Sequence, residues 1–147
     1  MEGQETMYDI DLTKMSLPSE HYRILLGTAL SVFSSNNGFM IENILSTDNT
    51  YSWYDLIDTE SGRLKPIIEK TISLKTGKTI FEKYAEIVER CNRIIHGFRI
   101  TSSDNEQIMA TKVKGSGEQF LITDDYLIEF IRLNDELSEM LYVYRVY

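Results

Sequence analysis

The segment from Ile80 to Phe98, "IFEKYAEIVERCNRIIHGF", constrains the fold more than any other part of the chain. Apolar side chains recur at Phe81, Tyr84, Ile87, Val88, Cys91, Ile94, Ile95 and Phe98. Steps of three and four place them on one wide stripe with a 3.6-residue period. A stripe this wide needs partners on several sides, so the segment predicts a central core helix and, with it, a mainly helical domain.

Other stretches supply those partners. Residues 17–45 carry Ile24, Leu25, Thr28, Val32, Phe39, Met40 and Ile44 at helical spacing. Ser19 followed by Glu20 is a start signal. "SSNNG", Ser34 to Gly38, is a polar midsection within one long helix. Residues 46–52 read as a loop, "WYDLID" as a short helix and "TESG" as a turn. "RLKPIIEKTISLK" resumes a helical pattern with Pro66 in its first turn, where a missing N–H costs least. Gly77 then breaks the chain. Arg99 to Glu106 reads as a polar loop, and "QIMATKVKGSGEQFLIT" as a β-hairpin turning at Gly-Ser-Gly. Asp124 and Asp125 open a last helix, where negative charge suits the dipole; its stripe is Leu127, Phe130, Ile131, Leu137, Leu141 and Tyr144. The expected architecture is mainly α: a bundle of four to five helices with a β-hairpin inserted before the last one. Residues 1–15 are expected to form a flexible acidic arm and 16–147 a single domain.

At 147 residues the chain is long enough for one domain with a substantial core. No apolar run approaches the roughly 20 residues of a membrane-spanning helix, and "MEGQETMYDIDLTKM" has no apolar leader core. Cys91 is the sole cysteine, which excludes an intrachain disulfide and a cysteine-rich zinc site. These features point to the cytoplasm, with no membrane partner. The net charge of −8 argues against a general nucleic-acid coat. The charge is uneven, however. Residues 63–99 hold nine Lys or Arg against four Asp or Glu, while the stretches on both sides are acidic. One reading is ordinary alternation between helices; the other is a local basic cleft for a polyanion.

The chemistry-bearing residues of the core helix lie at its end. At 100° per residue, Asn92 projects about 40° from His96, Arg93 about 60° on the other side, and Glu89 about 20° away. Arg90 projects about 120° off, on another face. Two readings remain open here. His96 can serve only as a dipole-compensating residue in the last turn, with Gly97 a C′ residue at positive φ. Alternatively, Asn92, Arg93 and His96 form a polar cluster beside the core. Other candidates are plainer: His21 reads as a surface residue, Asn134 as a buried amide, and Asp55, Asp58 and Glu60 as a solvated acidic face.

"ERCNRIIHGF" resembles the signature of HEPN domains (higher-eukaryote and prokaryote nucleotide-binding). That signature is an Arg, four to six residues, and a His, often with Asn just after the Arg, near the end of a core helix in a four- or five-helix bundle. Residues 19–147 resemble that layout, including the β excursion before a final helix. The resemblance implies a metal-independent endoribonuclease of a bacterial or phage defence or toxin–antitoxin system. His96 would transfer protons, Arg90 or Arg93 would contact phosphate, and Asn92 would orient them. It also implies a homodimer, an RNA substrate, an antitoxin or other protein partner, and no cofactor or metal. Glu139 to Tyr147 offers apolar surface either for that dimer or for the monomer core. One position departs from the pattern: Cys91 stands where the commonest form has its Arg. That departure implies the alternative of a catalytically inactive HEPN-like module binding a protein or a nucleotide.

Overall fold

A computed structural model describes residues 13–146; most of the expected arm, residues 1–12, lies outside the described residues. The elements in chain order are α1 (Glu20–Thr47), α2 (Trp53–Ile57), a 3-10 turn (Ser61–Arg63), α3 (Leu64–Lys70), α4 (Ile72–Thr76), α5 (Thr79–Ile95), β1 (Phe98–Thr101), β2 (Gln107–Lys112), β3 (Gln119–Ile122) and α6 (Asp124–Val146). The chain is therefore mainly helical, with a small antiparallel sheet of order β1-β2-β3.

Helix α1 starts where the sequence places it: the Ser19 hydroxyl accepts the Tyr22 N–H at 3.2 Å. It continues unbroken through Ser34–Gly38, because that segment is pinned from outside. The Asn36 side-chain amide is buried and donates to the Asn134 backbone oxygen at 2.7 Å and to its Oδ1 at 3.0 Å. The Asn134 amide in turn donates to the Phe130 carbonyl at 2.9 Å. Near the start of α1 the buried Tyr22 hydroxyl donates to the Ile122 carbonyl at 2.7 Å and accepts the Met109 N–H at 3.2 Å. At its far end the Thr47 and Tyr144 hydroxyls meet, and Arg145 pairs with Glu42. These contacts join early to early and late to late, so α1 and α6 run parallel. Helix α5 runs the other way, with its Lys83 bonded to Glu136 at 2.6 Å and its Arg90 over the Tyr126 ring. The sheet caps one end of the three long helices. Helices α2 to α4 and the 3-10 turn form the return path from α1 to α5, contributing the fully buried Leu64, Ile68 and Ile72.

Several expectations are corrected. The β excursion has three strands, not two, because "FRIT" pairs with β2 (Phe98↔Ala110, Thr101↔Gln107) instead of forming a loop. The turn falls at Ser102–Glu106, with Asn105 at φ 65°. Phe98 therefore leaves the helical stripe, and Ile95, at 59% exposure, lies outside it too. Ile24 and Thr28 are exposed on α1, whose core side takes the expected Met40 and Ile44 together with Tyr22, Ala29, Asn36, Ile41 and Asn43. The helix expected over Arg63–Lys75 is broken at Thr71 (φ −121°, ψ −87°), whose hydroxyl bonds back to the Ile67 carbonyl at 2.7 Å. The loop expected from residue 46 begins after Thr47, since the Ser46 and Thr47 hydroxyls both bond the Asn43 carbonyl. In the last helix Leu133 joins the core beside the expected stripe. Although it has no uninterrupted apolar run, α1 is long and apolar enough on average to cross a membrane; core helices of globular proteins share that composition, and this one has Asn36 and Asn43 buried along it.

The amide pair yields a test. Asn36→Asp would set a buried carboxylate against two oxygens of Asn134. The expected cost is about 3 kcal/mol or more in urea denaturation at neutral pH. The aspartate's folded pKa would be raised, so the deficit should shrink as pH falls toward about 4, its unfolded value. A variant as stable as the parent at pH 7 would contradict this account of the contact.

Candidate functional site

Helix α5 is held by its buried residues Ile80, Tyr84, Ile87, Val88, Cys91 and Ile94. Its polar side carries two i, i+4 ion pairs: Glu86–Arg90 at 3.5 Å and Glu89–Arg93 at 3.3 Å. The helix closes with the His96 N–H on the Asn92 carbonyl (3.0 Å) and the Gly97 N–H on the Ile94 carbonyl (3.1 Å). Gly97 is not at positive φ, contrary to expectation. It is required for close approach: a Cβ there would lie 3.0 Å from the Ile94 carbonyl oxygen, 3.1 Å from that of Ala110 and 3.1 Å from Ile122 Cδ1. The chain thus turns from α5 into β1 pressed against β2 and β3.

The four residues singled out from the sequence have different surroundings. His96 is exposed, and its imidazole makes no hydrogen bond or ion pair among the described residues. Asn92 is half-buried, with its amide similarly uncommitted. Arg93 is 15% exposed in its side chain. Its Nη1 donates to the Lys112 carbonyl at 2.9 Å, while Nε lies near Glu89 without the alignment of a hydrogen bond. Part of the guanidinium's donor fork remains open. Arg90 points toward α6: its guanidinium lies 5.5 Å from the centre of the Tyr126 ring, which packs 5.7 Å from that of Phe120. Burial pushes the Tyr126 hydroxyl up, against the opposing pull of Arg90. The arrangement therefore joins Arg93 to the hairpin and Arg90 to the last helix, with His96 beyond both.

Cys91 is 2% exposed, and burial pushes its thiol up to about 11. It is a core residue with negligible thiolate at neutral pH, which removes it as a nucleophile. No group of three or more His, Cys, Asp or Glu suited to a metal ion occurs among the described residues. His21 is exposed and pairs with Asp124 at 3.3 Å, joining the starts of α1 and α6. Asp55, Asp58 and Glu60 are exposed.

A second feature was invisible in the sequence. At the end of the bundle opposite the sheet lies a groove of about 1230 Å³, bordered by Thr47, Lys75, Thr79, Lys83, Met140 and Tyr144 among others. It draws on the end of α1, α4, the start of α5 and the end of α6, so no local pattern marks it. No protein-family model, curated protein or solved structure matches the chain.

Gly97→Ala tests the packing at the site. The added methyl must displace two carbonyls and Ile122, so a loss of about 1–3 kcal/mol is expected in chemical denaturation. Gly62→Ala, where a Cβ meets nothing within 4 Å, serves as control. Equal stabilities for the two variants would refute the close-approach account.

Proposed function

We propose that the chain is a HEPN-like cytoplasmic protein whose α5 end cleaves RNA without a metal ion. The carrying observation is an exposed, uncommitted His96 one turn beyond Arg93, whose guanidinium is anchored on a β2 carbonyl with donors left over. The chemistry balances with these groups and a water molecule. The ribose 2′-oxygen attacks the adjacent phosphorus and the P–O5′ bond breaks, giving a 2′,3′-cyclic phosphate and a 5′-hydroxyl. His96 takes the 2′-OH proton while water protonates the leaving 5′ oxygen, or protonates that oxygen while water takes the 2′-OH proton. Arg93 or Arg90 stabilises the phosphorane charge, and Asn92 orients the reacting groups.

A second reading has its own observation. Arg90 and Arg93 each face a carboxylate, and position 91 holds a buried thiol. That environment favours a catalytically inactive HEPN-like module binding a protein or nucleotide. Either form fits a defence or toxin–antitoxin setting with an antitoxin or similar partner, and a homodimer. The end of the last helix has a buried and an exposed side. Leu141 is buried and Tyr144 half-buried, whereas Tyr142 is 65% exposed beside exposed Val143.

Incubation of labelled single-stranded and structured RNAs with the protein in EDTA tests the nuclease reading. Cleavage with cyclic-phosphate ends is expected, with His96→Ala slower by about 10²–10⁴-fold. No cutting, or cutting indifferent to His96, would transfer the assignment to the binding module. For the dimer, Tyr142→Glu/Val143→Glu should shift the mass seen by light scattering from two chains to one. A pair still dimeric places the interface elsewhere.

A further inference from the structure

We infer that the β2–β3 hairpin is the arm that holds single-stranded RNA at this site, with Lys112 and Lys114 taking backbone phosphates beside the one at His96. This rests on the RNA-cleaving reading of the α5 end. Neither lysine belongs to the motif, and both lie more than fifteen residues from His96 in the chain. Two contacts bring them to it. Arg93 donates to the Lys112 carbonyl at 2.9 Å, and Lys114 Nζ lies 3.8 Å from Glu89. Their distance from the histidine follows from the sheet. Gly97, next to His96, is pressed against the Ala110 carbonyl. Lys112 is two residues farther along β2 on the same face as Ala110, roughly 7 Å away at ordinary strand rise.

Both ammonium groups are available. Lys112 is exposed and its side chain makes no polar contact among the described residues; Lys114 is 76% exposed, and its pairing at 3.8 Å is of the weak, solvent-screened kind. Together with Arg90 and Arg93 they make four cations around this junction, against Glu86 and Glu89 on α5, Glu118 across the hairpin mouth and Glu129 facing Arg90 from α6. The chain as a whole is at −8. A flexible single strand suits this place better than a duplex, because the cations lie on a short arm and a helix end rather than along a rigid line.

The test is fluorescence anisotropy with a labelled single-stranded RNA in EDTA across a salt series, using wild type, Lys112→Ala/Lys114→Ala and Lys112→Arg/Lys114→Arg. The alanine pair should bind about tenfold more weakly at low salt, with a log–log salt slope smaller by about 1.4, for two phosphates at about 0.7 each. The arginine pair should bind like wild type. An alanine pair with wild-type affinity and slope overturns the inference, even where His96-dependent cutting stands. Conversely, RNA binding that depends on the two lysines in a protein that never cuts sustains the inference and ends the nuclease reading. A wild-type protein that binds no RNA overturns both.

Discussion

The buried amide contact between Asn36 and Asn134 sets the register on which the other elements depend. Apolar packing between two long helices tolerates a slip of one turn at modest cost, because similar side chains recur at each level. A slip here would bury two amides away from their partners, at about 1–3 kcal/mol for each unsatisfied group. The Tyr22 and Thr47 contacts mark the same register at the two ends of α1. Once α1 and α6 are parallel and in step, α5 has one antiparallel seat against α6. The sheet then falls at the end where α5 stops, and the open groove at the end where it starts.

The end of α5 gathers several charges on well-packed elements. The outward side of the helix alternates acid and base, and each arginine reaches a different neighbour. Arg90 is spread over an aromatic ring, a contact worth about 0.5–1 kcal/mol at an exposed site. Arg93 is tied to main chain. The hairpin is consequently tied to the helix at two points, the Lys112 carbonyl and Gly97.

The long elements were legible because their signals are local. Ser19 caps α1, Gly77 stops the chain before α5, Asp124 and Asp125 open α6, and the α5 stripe is read correctly from Phe81 to Ile94. The failures are equally physical. Ile95 and Phe98 continue the apolar rhythm, yet the helix has ended, and a period says nothing about where the neighbours stop. β1 is not marked locally, because four residues with an arginine among them look like loop until β2 is there to pair with. A glycine after the last helical turn suggests a left-handed stop, whereas Gly97 is needed for the close approach of the Ala110 carbonyl thirteen positions on. Of the candidate site, the residue types were visible; which arginine faces what was not, because Lys112 and Tyr126 belong to other elements.

The buried Cys91 decides how the remaining arginines are to be weighed. A guanidinium at that position would lie in the core among Val88, Ile94 and Tyr84, where desolvation would cost several kcal/mol without a partner. This helix therefore cannot present an arginine from position 91 in its present packing. The neighbours differ in what they can offer instead. Arg90 is on the α6 side, about 120° from His96 in projection, and its planar group is engaged by Tyr126. Arg93 is about 60° from His96 and is held by one Nη on the Lys112 carbonyl and by its ion pair with Glu89. A guanidinium fixed in this way loses little rotamer freedom on meeting a phosphate. In the proposed chemistry Arg93 is thus the charge-stabilising group, and Arg90 belongs to the packing of α5 on α6.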